Sequence, residues 1–379
     1  MLRSLKIAAC GIGATLLAAG VAFSDEVVIG AALPLTGNTA TWAGGPVKNG
    51  MELAADEVNA RKEAGDHSIA LLIEDMASDR TQGITLSSRF INSDNVSMVL
   101  GLPTSIYATA VAPMANEAET PMLAVAVSKA VTAAGPWSFK LWQGSDVPSN
   151  AVADLIVNKL KPKTALIVYN RDNDAYVEIS RIVKTRLAKA GVEILADEGT
   201  LITDTNFTAL ATKIADLKPD ILYVSGVAES MANVVVQARQ AGMPDTVQIV
   251  GAPGVAPPAY QRLGGAAIEG TIFTGNYFIN APQKVNQEFV AAYKARYNQQ
   301  PDEFAAAGYT LVKVAANAIR SAGGDRTKLR DALEATSNLP VVIGNGSLTF
   351  QQGSREPAYG TLLLQWKNGT VSLYGDQSN

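Results

Sequence analysis

The sequence predicts an α/β protein of two doubly wound parallel-sheet lobes, and three observations carry that reading. Short β-branched runs alternate with longer amphipathic stretches along most of the chain, the order expected of right-handed βαβ units. Two of the runs, Ala165–Val168 and Ile221–Val224, are apolar without interruption, as strands covered on both faces must be. The alternation also starts afresh at Ala165 after a first series that reaches Val125, so two halves are expected.

A leader comes first. Arg3 and Lys6 precede the apolar stretch Ile7–Phe23, and Ala22-Phe23-Ser24 puts small residues at −3 and −1, so cleavage after Ser24 and export to the periplasm are expected. Gly11, Gly13 and Gly20 break the apolar run and the acidic, strand-like Asp25–Ile29 follows it, which argues against a permanent membrane helix. Ile7-Ala8-Ala9-Cys10 loosely resembles a lipoprotein box. Only three apolar residues separate Lys6 from Cys10, far short of the roughly 7–15 of an export h-region. Cys10 is therefore read as leader, leaving a mature chain that neither forms nor needs a disulfide.

In the first half, strands are expected at Val27–Ala32, Ile69–Glu74, Val96–Leu100 and Met122–Val125, with helices at Val47–Asn59, Gln82–Ser93 and Ile106–Ala115. In the second half, strands Ala165–Tyr169, Glu193–Leu195, Ile221–Val224 and Gln248–Val250 alternate with helices Ala175–Ala190, Phe207–Leu217 and Met231–Ala241. Gly191 and Gly242 fall where a left-handed C-cap is wanted, and Asn206 can cap the helix after it. Beyond Gly270 the helical stretches Val285–Tyr297, Glu303–Ser321 and Lys328–Ala335 precede short strands near Leu348–Phe350 and Leu362–Trp366. This last part is expected to dock on the two lobes.

Chemistry leaves few traces. The single histidine, His67, stands between Asp66 and Ser68 and reads as an exposed loop residue. Without cysteine, a transition-metal site would need an all-carboxylate set, and no such spacing is present. No GxSxG, P-loop or strand-linked GxGxxG occurs, and Gly264-Gly265 and Gly323-Gly324 read as turns. Glu74-Asp75 with Asp79 are either paired acids or a strand-end cap with a solvated turn. No catalytic residue, metal or cofactor is assigned, and a binding protein is expected rather than an enzyme. Two positive charges leave with the leader, taking the formal net charge from −4 to −6, which argues against a nucleic-acid partner.

The mature sequence resembles the leucine/isoleucine/valine-binding protein family, the type I periplasmic solute receptors of ABC importers. The resemblance rests on Ile29–Gly37, Lys48–Asn59, Thr120–Met122, Thr205–Phe207 leading to Lys218–Asp220, Gln237–Gly242, Ala306–Tyr309 and Trp366–Gly369, in that order. It implies two lobes joined by three crossovers, 25–145 plus 275–355 and 146–274 plus 356–379, with a ligand in the cleft between them. Permease and ATPase subunits are implied as partners. The same resemblance makes Ser105 the holder of a ligand carboxylate, and Ala126 and Ser128 the next loop's carbonyl and hydroxyl contacts. Independently, Ser105 opens an expected helix, whose free N–H groups and positive dipole end favour an anion; a plain N-cap is its other reading. Trp42 and Tyr176 match family aromatics of the first and second lobe. Tyr107 and Trp142 fall in nearby loops, with cleft and core roles both open.

The departures bear on the ligand. Where amino-acid-binding members place an acid for the ammonium, this chain has Pro253, and Val227 stands where they have an aromatic. A buried ammonium without a partner is heavily penalised. The expected ligand is therefore a carboxylate without an α-amine, favouring an aromatic acid such as a benzoate or hydroxycinnamate. An apolar amino acid is the alternative, with Glu229 or Asp146 replacing the missing anion, and urea or a short amide comes after it. A soluble receptor for a separate membrane sensor also stays open. Hinge closure is the expected mechanism and a monomer the expected state.

Overall fold

The computed structural model describes residues 25–375; the leader, its cleavage after Ser24 and Cys10 lie outside them. The first five strands, β1 (Asp25–Leu33), β2 (His67–Asp75), β3 (Met98–Gly101), β4 (Met122–Ala124) and β5 (Ser138–Lys140), form one parallel sheet in the order 2-1-3-4-5. Helices α1 (Gly45–Arg61), α2 (Arg80–Asn92), α3 (Ser105–Glu117) and the short α4 (Lys129–Ala133) fill its crossovers. Apolar side chains on both sheet faces are buried, one face against α1 and the other against α2 and α3.

A second sheet begins after α5 (Asp146–Leu155) with β6 (Thr164–Asn170), α6 (Asp174–Lys189), β7 (Glu193–Thr200), α7 (Thr208–Leu217), β8 (Ile221–Ser225), α8 (Ala228–Gln240), β9 (Gln248–Gly251), α9 (Pro258–Gly264) and β10 (Ile272–Gly275). The chain then returns to the first sheet with α10 (Lys284–Tyr297), α11 (Glu303–Ala322) and α12 (Arg326–Glu334). Three short strands follow, β11 (Leu339–Pro340), β12 (Ser347–Phe350) and β13 (Pro357–Ala358). The hairpin β14 (Leu362–Lys367) and β15 (Thr370–Leu373) crosses back, giving a seven-stranded order 15-14-10-9-8-6-7. In it β14 lies antiparallel beside β10.

Glycine explains why α11 joins the first sheet's layer. A Cβ on Gly50 of α1 would lie 2.1 Å from the Ala305 carbonyl, and one on Gly308 of α11 would lie 2.1 Å from that of Val47. The two backbones therefore approach closely at both points, a spacing open only to glycine.

Several local expectations change. His67 is the first residue of β2, paired with Asp25, and its buried Nδ1 lacks a protein partner, so the exposed loop is corrected to a strand start. The acids at the end of β2 are structural. Asp75 accepts from Leu35 N–H at 2.8 Å and Thr36 Oγ1 at 2.6 Å, Glu74 pairs with Arg89, and Asp79 caps α2 through Gln82 N–H at 2.7 Å. Gly191 and Gly242 take the left-handed conformation expected of them, with φ of 85° and 100°, and Asn206 accepts from Thr208 N–H at 3.0 Å.

Candidate functional site

Parallel pairing puts the carboxyl ends of successive strands along one edge of each sheet, which is where open α/β sheets bind ligands. In the first sheet that edge carries the loops after β1, β3, β4 and β5. Ser105 is the first residue of α3 rather than its cap, a position held by Thr104. Its Oγ accepts from the N–H groups of Val127 (3.2 Å) and Ser128 (3.1 Å). With both lone pairs engaged, the hydroxyl proton is left to donate, beside the unpaired N–H groups of the first helical turn. Thr104 itself has φ 84° and a buried hydroxyl with no partner. A β-branched residue at positive φ is strained, and such strain concentrates at ligand sites.

The next loop is held from below. Lys140, fully buried at the end of β5, donates to the Val127 carbonyl at 2.9 Å and pairs with Glu356 at 3.1 Å. Burial lowers its pKa, with Glu356 opposing the shift. Ala126 is buried in this loop, and the Ser128 hydroxyl accepts from Ala130 N–H at 3.3 Å, capping α4.

Trp42 lies in a π-type turn, Ala40–Gly44, and Trp142 follows β5. Both rings meet Phe304 of α11 edge-on, at 5.3 Å and 5.0 Å between centroids. Trp42 is 46% exposed, whereas the Trp142 indole N–H is buried without a partner. Tyr107 does not join this wall. It is buried, and its hydroxyl donates to the Ser78 carbonyl and lies 3.2 Å from Thr39 Oγ1, bracing the loop that leads to Trp42. Its ring packs among the buried residues of the first sheet's second face.

In the second sheet, Tyr176, Val227 and Pro253 follow β6, β8 and β9 and come together. The buried Asn170 side chain accepts from Val227 N–H (2.9 Å) and donates to Thr200 and Ser230. A Cβ on Gly254 would fall 2.0 Å from the Gly226 carbonyl and 2.7 Å from the Tyr176 hydroxyl. The two loops and the phenol thus form one surface. Burial, together with the charges of Glu303 and Glu229, pushes the Tyr176 pKa up to about 12.

That influence identifies a residue missed in sequence. Glu303 opens α11, which packs on the first sheet, and its charge acts on Tyr176 beside the second sheet. Its Oε1 accepts from Asn276 Nδ2 at 2.8 Å, and Asn276 Oδ1 accepts from the Tyr359 hydroxyl at 2.8 Å. The Tyr359 oxygen also accepts from Gln143 N–H at 3.3 Å. Gln143, Asn276 and Tyr359 sit on the three segments that pass between the sheets. Asp146 ion-pairs with Lys129 at 3.2 Å and Glu229 is exposed in the first turn of α8. Among the described residues no cluster of His, Cys, Asp or Glu has the geometry of a metal site, and no helix is long and apolar enough to cross a membrane.

The profile of a family described as periplasmic binding protein matches residues 26–370. The chain is 24% identical to Leu/Ile/Val-binding protein homolog 3 of Brucella melitensis, over 96% of this chain and 98% of that protein. It is 26% identical to Leu/Ile/Val-binding protein BraC3 of Rhizobium johnstonii, over 97% and 99%. Among solved structures, the leucine-binding protein LivK of Thermotoga maritima superposes with a TM-score of 0.80 at 25% identity, covering 92% of this chain and 98% of that one. The isoleucine complex of LivJ from Streptococcus pneumoniae shares the fold, with a TM-score of 0.80 at 24% identity and coverage of 92% and 98%.

Proposed function

The chain belongs to the periplasmic binding protein family, and from that premise we propose that it is the receptor of an ABC importer, closing two lobes over a small carboxylate. The observation that carries this reading is Ser105, whose oxygen accepts from Val127 and Ser128 while its proton stays free at the start of α3. The lobes are assigned as 25–145 plus 275–355 and 146–274 plus 356–379, which follows the membership of the two large sheets except that β13 at 357–358 still pairs with β12 of the first lobe. Ser105, Ala126 and Ser128 form the floor; Trp42 and Trp142 the first-lobe wall; Tyr176, Val227 and Pro253 the closing face. Tyr107 supports the site from behind.

An aromatic acid is the favoured ligand, because the Trp42, Phe304 and Trp142 rings offer edges and faces to a flat solute. A branched-chain amino acid is the second reading, favoured by the names of the relatives. The test is a thermal-shift screen of mature protein, unfolded and refolded to strip bound solute, against aromatic and aliphatic acids on one plate and amino acids on the other. A ligand confined to the native state raises Tm by mass action. Amine-free aromatic acids are expected to raise it, and Ser105→Ala to cancel the rise; shifts with amino acids alone would overturn the aromatic reading in favour of the second.

A further inference from the structure

We propose that Glu303 is a second recognition subsite of this cleft, and that the captured acid carries a hydrogen-bond donor, a hydroxyl or an ammonium, apart from its carboxylate. The proposal rests on the carboxylate reading of the Ser105 floor and adds the group at the other contact.

Glu303 is half-buried at the first residue of α11, and the adjacent Phe304 joins the rings of Trp42 and Trp142. The helix start that carries Glu303 thus adjoins the aromatic wall, and the Asn276 bond fixes its carboxylate. Asn276 satisfies Oε1, but no side chain or N–H group among the described residues donates to Oε2, and that oxygen is not sealed from solvent. No ion pair among the described residues includes Glu303. A carboxylate offers about four acceptor sites, so this one stands poorly compensated in a partly desolvated place. Its burial, more than the added charge of Asp302, raises the carboxyl to about 7 against the pull of the Asn276 bond. The titratable groups coupled to it are Asp302, which caps its helix, Tyr176 from the opposite lobe, on which Glu229 also acts, and Tyr359 from a crossover. None of these is a cation.

A donor on the solute would supply what the chain withholds. The acid also comes from the first lobe, whereas Pro253, where amino-acid-binding members were expected to carry one, lies on the second. Floor, rings and acid would then hold both polar groups of the solute before the lobes close.

Two matched pairs test this by calorimetry: 3-phenylpropanoate against 3-(4-hydroxyphenyl)propanoate, and 4-methylpentanoate against leucine. In the native protein, the donor-bearing member of at least one pair should bind about tenfold more tightly, the scale of a charge-assisted hydrogen bond. Glu303→Gln, which keeps volume and the Asn276 contact, should reduce that advantage to about threefold or less and leave the donor-free member unchanged. The hydroxyl and ammonium arms separate the two donors. As a readout needing no variant, binding of the preferred acid near pH 6.5 in buffers of different ionisation enthalpy should release protons, up to about one per site. Donor-free acids that bind as well as their partners, or an advantage that survives Glu303→Gln, overturn the subsite and leave the carboxylate floor standing. Binding by none of the four overturns both.

Discussion

Glu303 is where one residue's environment most alters its chemistry. Unfolded, its carboxyl has an ordinary pKa near 4.5, and folded it is raised to about 7. Below the unfolded value both states are protonated and nothing is lost. Between the two the folded state binds the extra proton, so the ligand-free protein loses stability as pH rises toward 7 and levels off above it. Glu303→Gln should therefore match the native protein at pH 4.5 and exceed it by about 1–2 kcal/mol at pH 8, measured by urea unfolding without ligand. The place of Ser105 at a helix start was legible from the sequence pattern. Glu303, Phe304 and Lys140 were not. An acid at a helix N-terminus is ordinary, and nothing in Ser138-Phe139-Lys140 announces that its lysine ends fully buried beneath a loop. Such roles depend on which side chains arrive from elsewhere in the chain.

Elements set how tightly the loops are held. Gly254 contacts the Gly226 carbonyl across two loops, so Gly254→Ala forces the β8 and β9 loops apart. A cost of about 1–3 kcal/mol is expected from such overpacking, with weakened binding of every ligand and far-ultraviolet circular dichroism unchanged. Most strands and helices of the alternating series were legible to within a few residues, since their apolar periodicity matches the face they bury. The short pieces were not. β5, α4, α9 and β13 span 3, 5, 7 and 2 residues, too few for a period to show. α5 was missed because the alternation pauses at residues 141–164, where the chain passes between sheets. Sheet order, and α11 lying against α1, depend on contacts far apart in sequence.

At the scale of the whole molecule, one tyrosine hydroxyl links the three connecting segments, accepting from Gln143 and donating to Asn276. Tyr359→Phe removes both bonds from this arrangement. The population closed should fall, lowering affinity for every ligand by a common factor of about 3–10 while leaving their rank order intact. Small-angle scattering should show a larger radius of gyration at subsaturating ligand; a change in rank order would instead place Tyr359 in recognition. The path of the chain has a further consequence, for its birth. Because β14 and β15 complete the second sheet from the C-terminal end, β10 presents an open edge throughout synthesis until residues 362–373 have emerged. An unpaired edge invites association. A nascent chain of this topology keeps that edge unpaired until residues 362–373 leave the ribosome, and a stop codon near residue 360 would yield a sticky product rather than a shorter receptor.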